Sequence, residues 1–287
     1  MAIRIGCGSW GDKDYVGLLF PKSVPEKLRL SHYTKWFERL ELNVTYHSIQ
    51  SRERIAGWVE QTPAGFLFDV KLERRFSENP SLAAAGDLPQ VFLNSIEPIV
   101  AARKLGAFLL TLSPSFGPPR HSLAELDLVA EKFQRLAPVA VELRDRAWVE
   151  GDALASTLAY FRSRKFVWVA LDLPRLRAAP VLPPIDEVTL PELAYLRLHG
   201  RNPDYLKASG GAKARHNYDY PLAELEEIAA RIRALAAKAQ HVHVSVNNHY
   251  AAFAPKAALA LRRLLGQPVP PALAESDEEA GGQLSLL

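Results

Sequence analysis

Apolar residues recur at every second position in short runs along this chain, and helical spacing fills the stretches between the runs. The clearest run is Val139-Ala140-Val141-Glu142-Leu143-Arg144, which leads into Asp145-Arg146-Ala147-Trp148. Val139, Val141 and Leu143 share one face of a strand; Ala140, Glu142 and Arg144 share the other. The same alternation predicts strands over 3–8, 40–44, 66–71, 107–112, 166–172, 194–200 and 242–247. Apolar spacing predicts helices over 30–39, from about 51 to the Thr62-Pro63-Ala64-Gly65 break, and over 95–105, 123–136, 151–162, 221–238 and 254–265. Ser31 is read as a cap of the first helix. Residues 72–89 read as a long irregular loop with a short helical turn. A proline-rich connection without a full helix leads to Pro191.

Eight strands, most followed by a helix, require a parallel sheet with crossover connections. Their number and the chain length favour an α/β fold, a single (β/α)8 TIM-type barrel over residues 1–266. The alternative is a doubly wound open sheet. No Gly-x-Gly-x-x-Gly opens a helix and no Walker pattern occurs, so no nucleotide cofactor is expected.

In such a barrel the aliphatic strand faces meet the helices. On the sixth strand this puts Val167, Val169 and Leu171 on the helix side, and Trp168, Ala170 and Asp172 inside. The interior then carries Arg4, Glu41, Asn43, Asp69, Lys71, Glu142, Arg144, Asp172, Arg197, His199, His243 and Asn247. Buried charges cost several kcal/mol each without partners, so the lower layers should pair and the upper layers should meet ligand. Active sites of these barrels lie at the C-terminal strand ends. That rule selects Glu142, His199, Lys71 and Asp172 as candidate catalytic groups. Asn43, Arg144, Arg201, Asn247, Asn248, Trp10 and Tyr205 are candidate substrate-binding groups. Trp148 and Tyr218 are further candidates for an aromatic rim.

Glu142 and His199 suit proton transfer, and Lys71 suits a nucleophile, an anion clamp or an ion pair with Glu41 or Glu142. Glu142, Asp172 and His199 form the candidate set for a divalent metal, which the nearby cations would oppose. His241 and His243 lie early on their strand, away from the predicted site.

The net charge of +3 does not predict a nucleic-acid-coating surface. Cys7 is the single cysteine; it falls in an aliphatic strand phase, reads as a buried small hydrophobe, and fits a reducing cytoplasm. No signal-peptide pattern or membrane-length apolar run occurs. Residues 267–287 read as a flexible tail, disordered over 267–282. The tail ends in Gln283-Leu284-Ser285-Leu286-Leu287. That pentapeptide resembles the bacterial sliding-clamp binding motif, with Gln283, Leu284, Leu286 and Leu287 as the partner-binding residues and leucine in place of the final phenylalanine.

A family resemblance rests on an ordered set of segments: Ile5-Gly6-Cys7-Gly8-Ser9-Trp10, Glu41-Leu42-Asn43-Val44-Thr45-Tyr46, Val70-Lys71, Pro114-Ser115-Phe116, Val141-Glu142-Leu143-Arg144 with Trp148, Arg197-Leu198-His199-Gly200-Arg201 and Val246-Asn247-Asn248. In this order they resemble the YecE-like family, domain of unknown function seventy-two, from about residue 3 to 265. The resemblance implies a TIM-type barrel and brings no assigned reaction. The chain departs from the family pattern at Cys7-Gly8, around Thr111-Leu112-Ser113 and at Asp145.

Three functions fit these readings. The first is a hydrolase or lyase acting on a small polar, anionic or sugar-like substrate. The second is a DNA-maintenance accessory protein, a nuclease or phosphodiesterase, tethered to the sliding clamp. The third is a ligand-binding barrel without catalysis.

Overall fold

The computed structural model describes residues 2–176, 181–207 and 211–271. Eight parallel strands form one sheet: β1 (Ala2–Cys7), β2 (Arg39–Leu42), β3 (Leu67–Lys71), β4 (Leu105–Thr111), β5 (Val139–Glu142), β6 (Val167–Asp172), β7 (Leu193–Leu198) and β8 (His241–Val246). Their order is β1-β8-β7-β6-β5-β4-β3-β2, so the sheet curls until its first two strands meet. The result is a nearly closed (β/α)8 barrel, as the alternation predicts.

The seam between β1 and β2 has a specific construction. A Cβ on Gly6 would stand 2.2 Å from the Arg39 carbonyl oxygen, so only glycine lets the two backbones approach. The Tyr33 hydroxyl accepts from the Cys7 amide at 2.8 Å and donates to the Arg39 carbonyl at 2.9 Å. One buried hydroxyl thereby satisfies a donor and an acceptor that no ladder bond reaches. Cys7 is buried, as its strand phase predicts.

Helices pack outside the strands. Phe133, on the helix Asp127–Phe133, meets Phe108 of β4 with ring centroids 4.9 Å apart. Phe161, on the helix Ala153–Ser163, meets Trp168 of β6 at 5.3 Å. Two expectations change here. The predicted helix over 30–39 is only Arg29–Tyr33, and Arg39 opens β2. The predicted irregular loop over 72–89 contains helices Arg74–Glu78 and Pro80–Ala85 and the start of Leu88–Ala101. Glu73 starts the first by accepting from the Arg75 amide, and Pro80 and Pro89 stand in the first turns of the other two, where a missing N–H costs nothing. Between β6 and β7 no helix occurs among the described residues.

The phase of β6 is the reverse of the predicted one. Val169 pairs with Tyr195 and Leu171 with Arg197, both of which face the barrel axis. Val167, Val169 and Leu171 therefore fill the interior, while Trp168 and Asp172 face the helices. Both faces of this strand are buried, so alternation alone does not say which is inward.

Residues 267–271 continue the barrel. Gln267 donates to the Ile3 carbonyl at 2.8 Å, and Arg262 donates to the Pro268 carbonyl at 2.9 Å. The remainder of the predicted tail, with Gln283–Leu287, lies outside the described residues.

Candidate active site

Charged side chains fill the axis of the barrel in layers. In the lowest, fully buried Arg39 donates to the Val244 carbonyl at 2.7 Å, to the Tyr195 hydroxyl at 2.7 Å and to Asp69. His243 faces the same carboxylate at 3.0 Å. Gly106 leaves the space they need, since a Cβ there would stand 2.4 Å from Asp69 Oδ1. In the next layer Arg197 grips Glu41 through Nε at 3.0 Å and Nη2 at 2.6 Å, and donates through Nη1 to Glu142. This two-pronged geometry is the strongest way to pair a guanidinium with a carboxylate. Asn43 and Tyr195 also donate to Glu41, at 3.0 and 3.1 Å. Burial pushes Glu41 and Glu142 toward protonation, but the attached arginines outweigh it and hold both carboxyls well below their usual range.

Above this floor opens a cavity of about 1120 Å³ at the C-terminal strand ends. Lys71, Arg144, His199, Asn43 and Asn247 reach it from five different strand ends. Arg144 donates through Nε to Glu142 at 2.7 Å, and its two terminal nitrogens have no partner among the described residues. His199 Nε2 lies 3.3 Å from Arg197 Nη1 and 3.6 Å from Glu142. Burial first and Arg197 second lower the His199 pKa against the pull of Glu142, so the ring is neutral at neutral pH.

Lys71 is nearly buried, with 9% of its surface exposed. Its ammonium makes no hydrogen bond or ion pair among the described residues and lies 4.3 Å from the centre of the Tyr46 ring. The nearby carboxylates Glu41 and Glu142 are already held by Arg197 and Arg144. Burial, then Arg197 and Arg144, lower the Lys71 pKa to about 7.

The predicted site residues divide. Trp10 and Tyr205 line the cavity with those just named. Trp10 packs edge-on against Trp58 at 5.2 Å, and Tyr205 against His216 at 5.9 Å. Asp172 and Arg201 do not join them. Asp172 points from β6 toward the helix Leu222–Ala236, where it accepts from Arg201, Arg231 and Tyr220, each at 2.7 Å. Gly200 adopts a positive φ of 88° and breaks the alternation after His199, which turns Arg201 to that outer cluster. Asn248 is buried and donates to the Tyr218 carbonyl at 2.7 Å, bracing a loop. Trp148 donates to the Phe116 carbonyl and Tyr218 to Glu224, so both pack loops. The candidate metal set is not brought together, because Asp172 faces away from Glu142 and His199. Among the described residues no three His, Cys, Asp or Glu side chains converge as a metal cage.

The strand pattern underused several residues that the structure places here. Arg39 and His249 are in phase with Glu41 and Asn247, so period 2 already pointed to them. His249 Nε2 lies 2.6 Å from Asn247 Oδ1. His216 stacks on His199 at 5.3 Å from a loop with no periodic signal, and burial with that neighbour lowers its pKa to about 3. Arg54 and Arg215 also line the cavity.

The family described as "Protein of unknown function DUF72" matches residues 4–280. The chain belongs to the DUF72 family. Among curated relatives, UPF0759 protein YunF of Bacillus subtilis (strain 168) is 26% identical over 259 residues, covering 86% of this chain and 89% of that protein. UPF0759 protein YecE of Escherichia coli (strain K12) is 29% identical over 116 residues, covering 40% of this chain and 39% of that one. A solved DUF72 family protein from Enterococcus faecalis V583 superposes with a TM-score of 0.82 at 27% identity, over 94% of this chain and 98% of the other. A DUF72 family protein from Thermotoga maritima MSB8 has the same TM-score at 24% identity, over 93% of this chain and all of the other. The DUF72 barrel thus provides the scaffold, and a scaffold of this kind does not by itself fix what the cavity does.

Proposed function

We propose that this DUF72 protein is an enzyme, a lyase or hydrolase that moves protons on a small anionic substrate held above Glu142. One observation carries the reading: a buried neutral histidine and a lysine that makes no ion pair among the described residues border the same cavity, while Arg39, Asp69, Arg197, Glu41 and Glu142 on the axis are paired. His199 is the proton-transfer group, because a neutral imidazole can accept a proton at neutral pH. Glu142 is held ionised between two arginines, so it orients Arg144 and stabilises a protonated His199 rather than acting as a base. The terminal nitrogens of Arg144, which have no partner among the described residues, bind the substrate's anionic group. Asn43 and Asn247 orient its polar atoms, and the Trp10 and Tyr205 rings wall it in.

The test is an NMR turnover screen of small carboxylates, sugar acids and phosphate esters with wild type and His199→Asn. At least one compound is expected to be converted by the wild type and slowed about a hundredfold or more in the variant. Turnover unchanged in His199→Asn overturns the assignment. Binding without conversion of any compound makes the barrel a binding protein instead.

A further inference from the structure

We propose that Lys71 is a carbonyl-capturing nucleophile, whose amine condenses with an aldehyde, ketone or 2-oxo acid anchored by Arg144. The inference rests on the enzymatic reading above and narrows its substrate class. It stands first on geometry. Lys71 ends β3, and Thr45 donates to its backbone carbonyl at 2.6 Å, which fixes the root of the side chain. From there the chain carries its nitrogen over the Tyr46 ring at the cavity, where it forms no ion pair with a carboxylate among the described residues, although Glu41 and Glu142 are near enough to act on it. Structural lysines that are buried use their three donors, as Lys104 does here with the carbonyls of Val59 and Thr62 and the Thr62 hydroxyl. Lys71 uses none of its donors on the described residues. An amine so placed serves a ligand better than it serves the fold.

Chemistry points the same way. A lysine about half deprotonated at neutral pH presents a lone pair, and burial beside other cations is a known route to that state. Arg197 and Arg144 supply the crowding here. The Arg144 terminal nitrogens, without a partner among the described residues, select a substrate with a carboxylate or phosphate near its carbonyl.

The step balances with no co-reactant. The nitrogen lone pair forms a bond to the carbonyl carbon. The carbonyl oxygen leaves as water, carrying one proton from the amine and one from the surroundings, through His199. A protonated imine remains on Lys71 and draws electrons from the adjacent carbon, which suits the cleavage or deprotonation of a lyase.

The test is reductive trapping on the full chain at pH 7 with cyanoborohydride, using formaldehyde and glyoxylate as parallel probes and peptide mass spectrometry as readout. Formaldehyde needs no recognition; glyoxylate adds a carboxylate beside the carbonyl. Lys71 is expected to react at least about tenfold faster with both than the exposed Lys256 does. Arg144→Met removes part of the crowding and is expected to slow formaldehyde somewhat, and to slow glyoxylate at Lys71 by a further factor of at least about ten, because only glyoxylate also loses its anchor. If Lys71 reacts no faster than Lys256 with either probe, the nucleophile is overturned. If formaldehyde reacts fast at Lys71 and Arg144→Met slows both probes by the same factor, the anionic substrate class is overturned. Neither failure touches the enzymatic reading, which is scored by turnover in His199→Asn; turnover surviving in Lys71→Met would contradict the imine while keeping that reading.

Discussion

Two clusters of charge sit at the C-terminal half of this barrel, one on its axis and one outside β6. The outer cluster is self-contained. Asp172 takes Arg201, Arg231 and Tyr220, while Glu227 and Asp186 take the remaining arms of the two arginines. The axial cluster is also paired below, through Arg39, Asp69, Arg197, Glu41 and Glu142. At its top it stops being self-contained: among the described residues Lys71 makes no ion pair and the terminal nitrogens of Arg144 have no partner, and both side chains face a cavity. Charge at a strand end therefore does not mark a site by itself. Charge left incomplete by its own neighbours is what sets the candidate site apart.

The sharpest way to break the axial cluster is to remove its centre. Arg197→Met leaves Glu41 and Glu142 buried without their main partner, and should cost about 3–5 kcal/mol in a urea titration. A loss below 1 kcal/mol would mean that the stack contributes little to the fold.

Lys71→Met should act in the opposite direction and depend on pH. The folded state lowers the Lys71 pKa from 10.5 to about 7, so between those values the unfolded chain binds a proton that the native protein does not. Wild-type stability therefore rises with pH through that window. The variant should be more stable than the wild type at about pH 6, by a few kcal/mol, with the gap closing toward about pH 10. A gap independent of pH contradicts this.

Asp172→Asn tests the separation of the clusters. It should cost about 1–3 kcal/mol through half-satisfied arginines and leave the pH response of Lys71 unchanged. The smallest effect is expected at the exposed Lys256–Asp219 pair, where Lys256→Ala should cost less than about 1 kcal/mol.

The barrel was legible in the sequence because strands with one aliphatic face repeat in a way few folds permit. Lys71, Glu142, Arg144, His199, Asn43 and Asn247 were legible for the same reason, since phase and strand end together place them. Asp172 was misplaced because both faces of β6 are apolar enough to be buried, and only pairing with β7 sets the phase. Arg201 was misplaced because the left-handed turn at Gly200 ends the alternation that its position was read from. Arg39 was assigned to a helix although it shares the phase of Glu41; short strands after short helices leave little pattern to divide them. Pairing itself is what the sequence does not print: nothing in it distinguishes a lysine that meets a carboxylate from one that does not.

The most direct test of this account is an NMR titration of Lys71 in the intact protein, with its resonance assigned through Lys71→Met. A midpoint at about 7 is the predicted result. A midpoint near the ordinary lysine value of 10.5 would mean that Lys71 is charged and partnered after all, and would contradict the account.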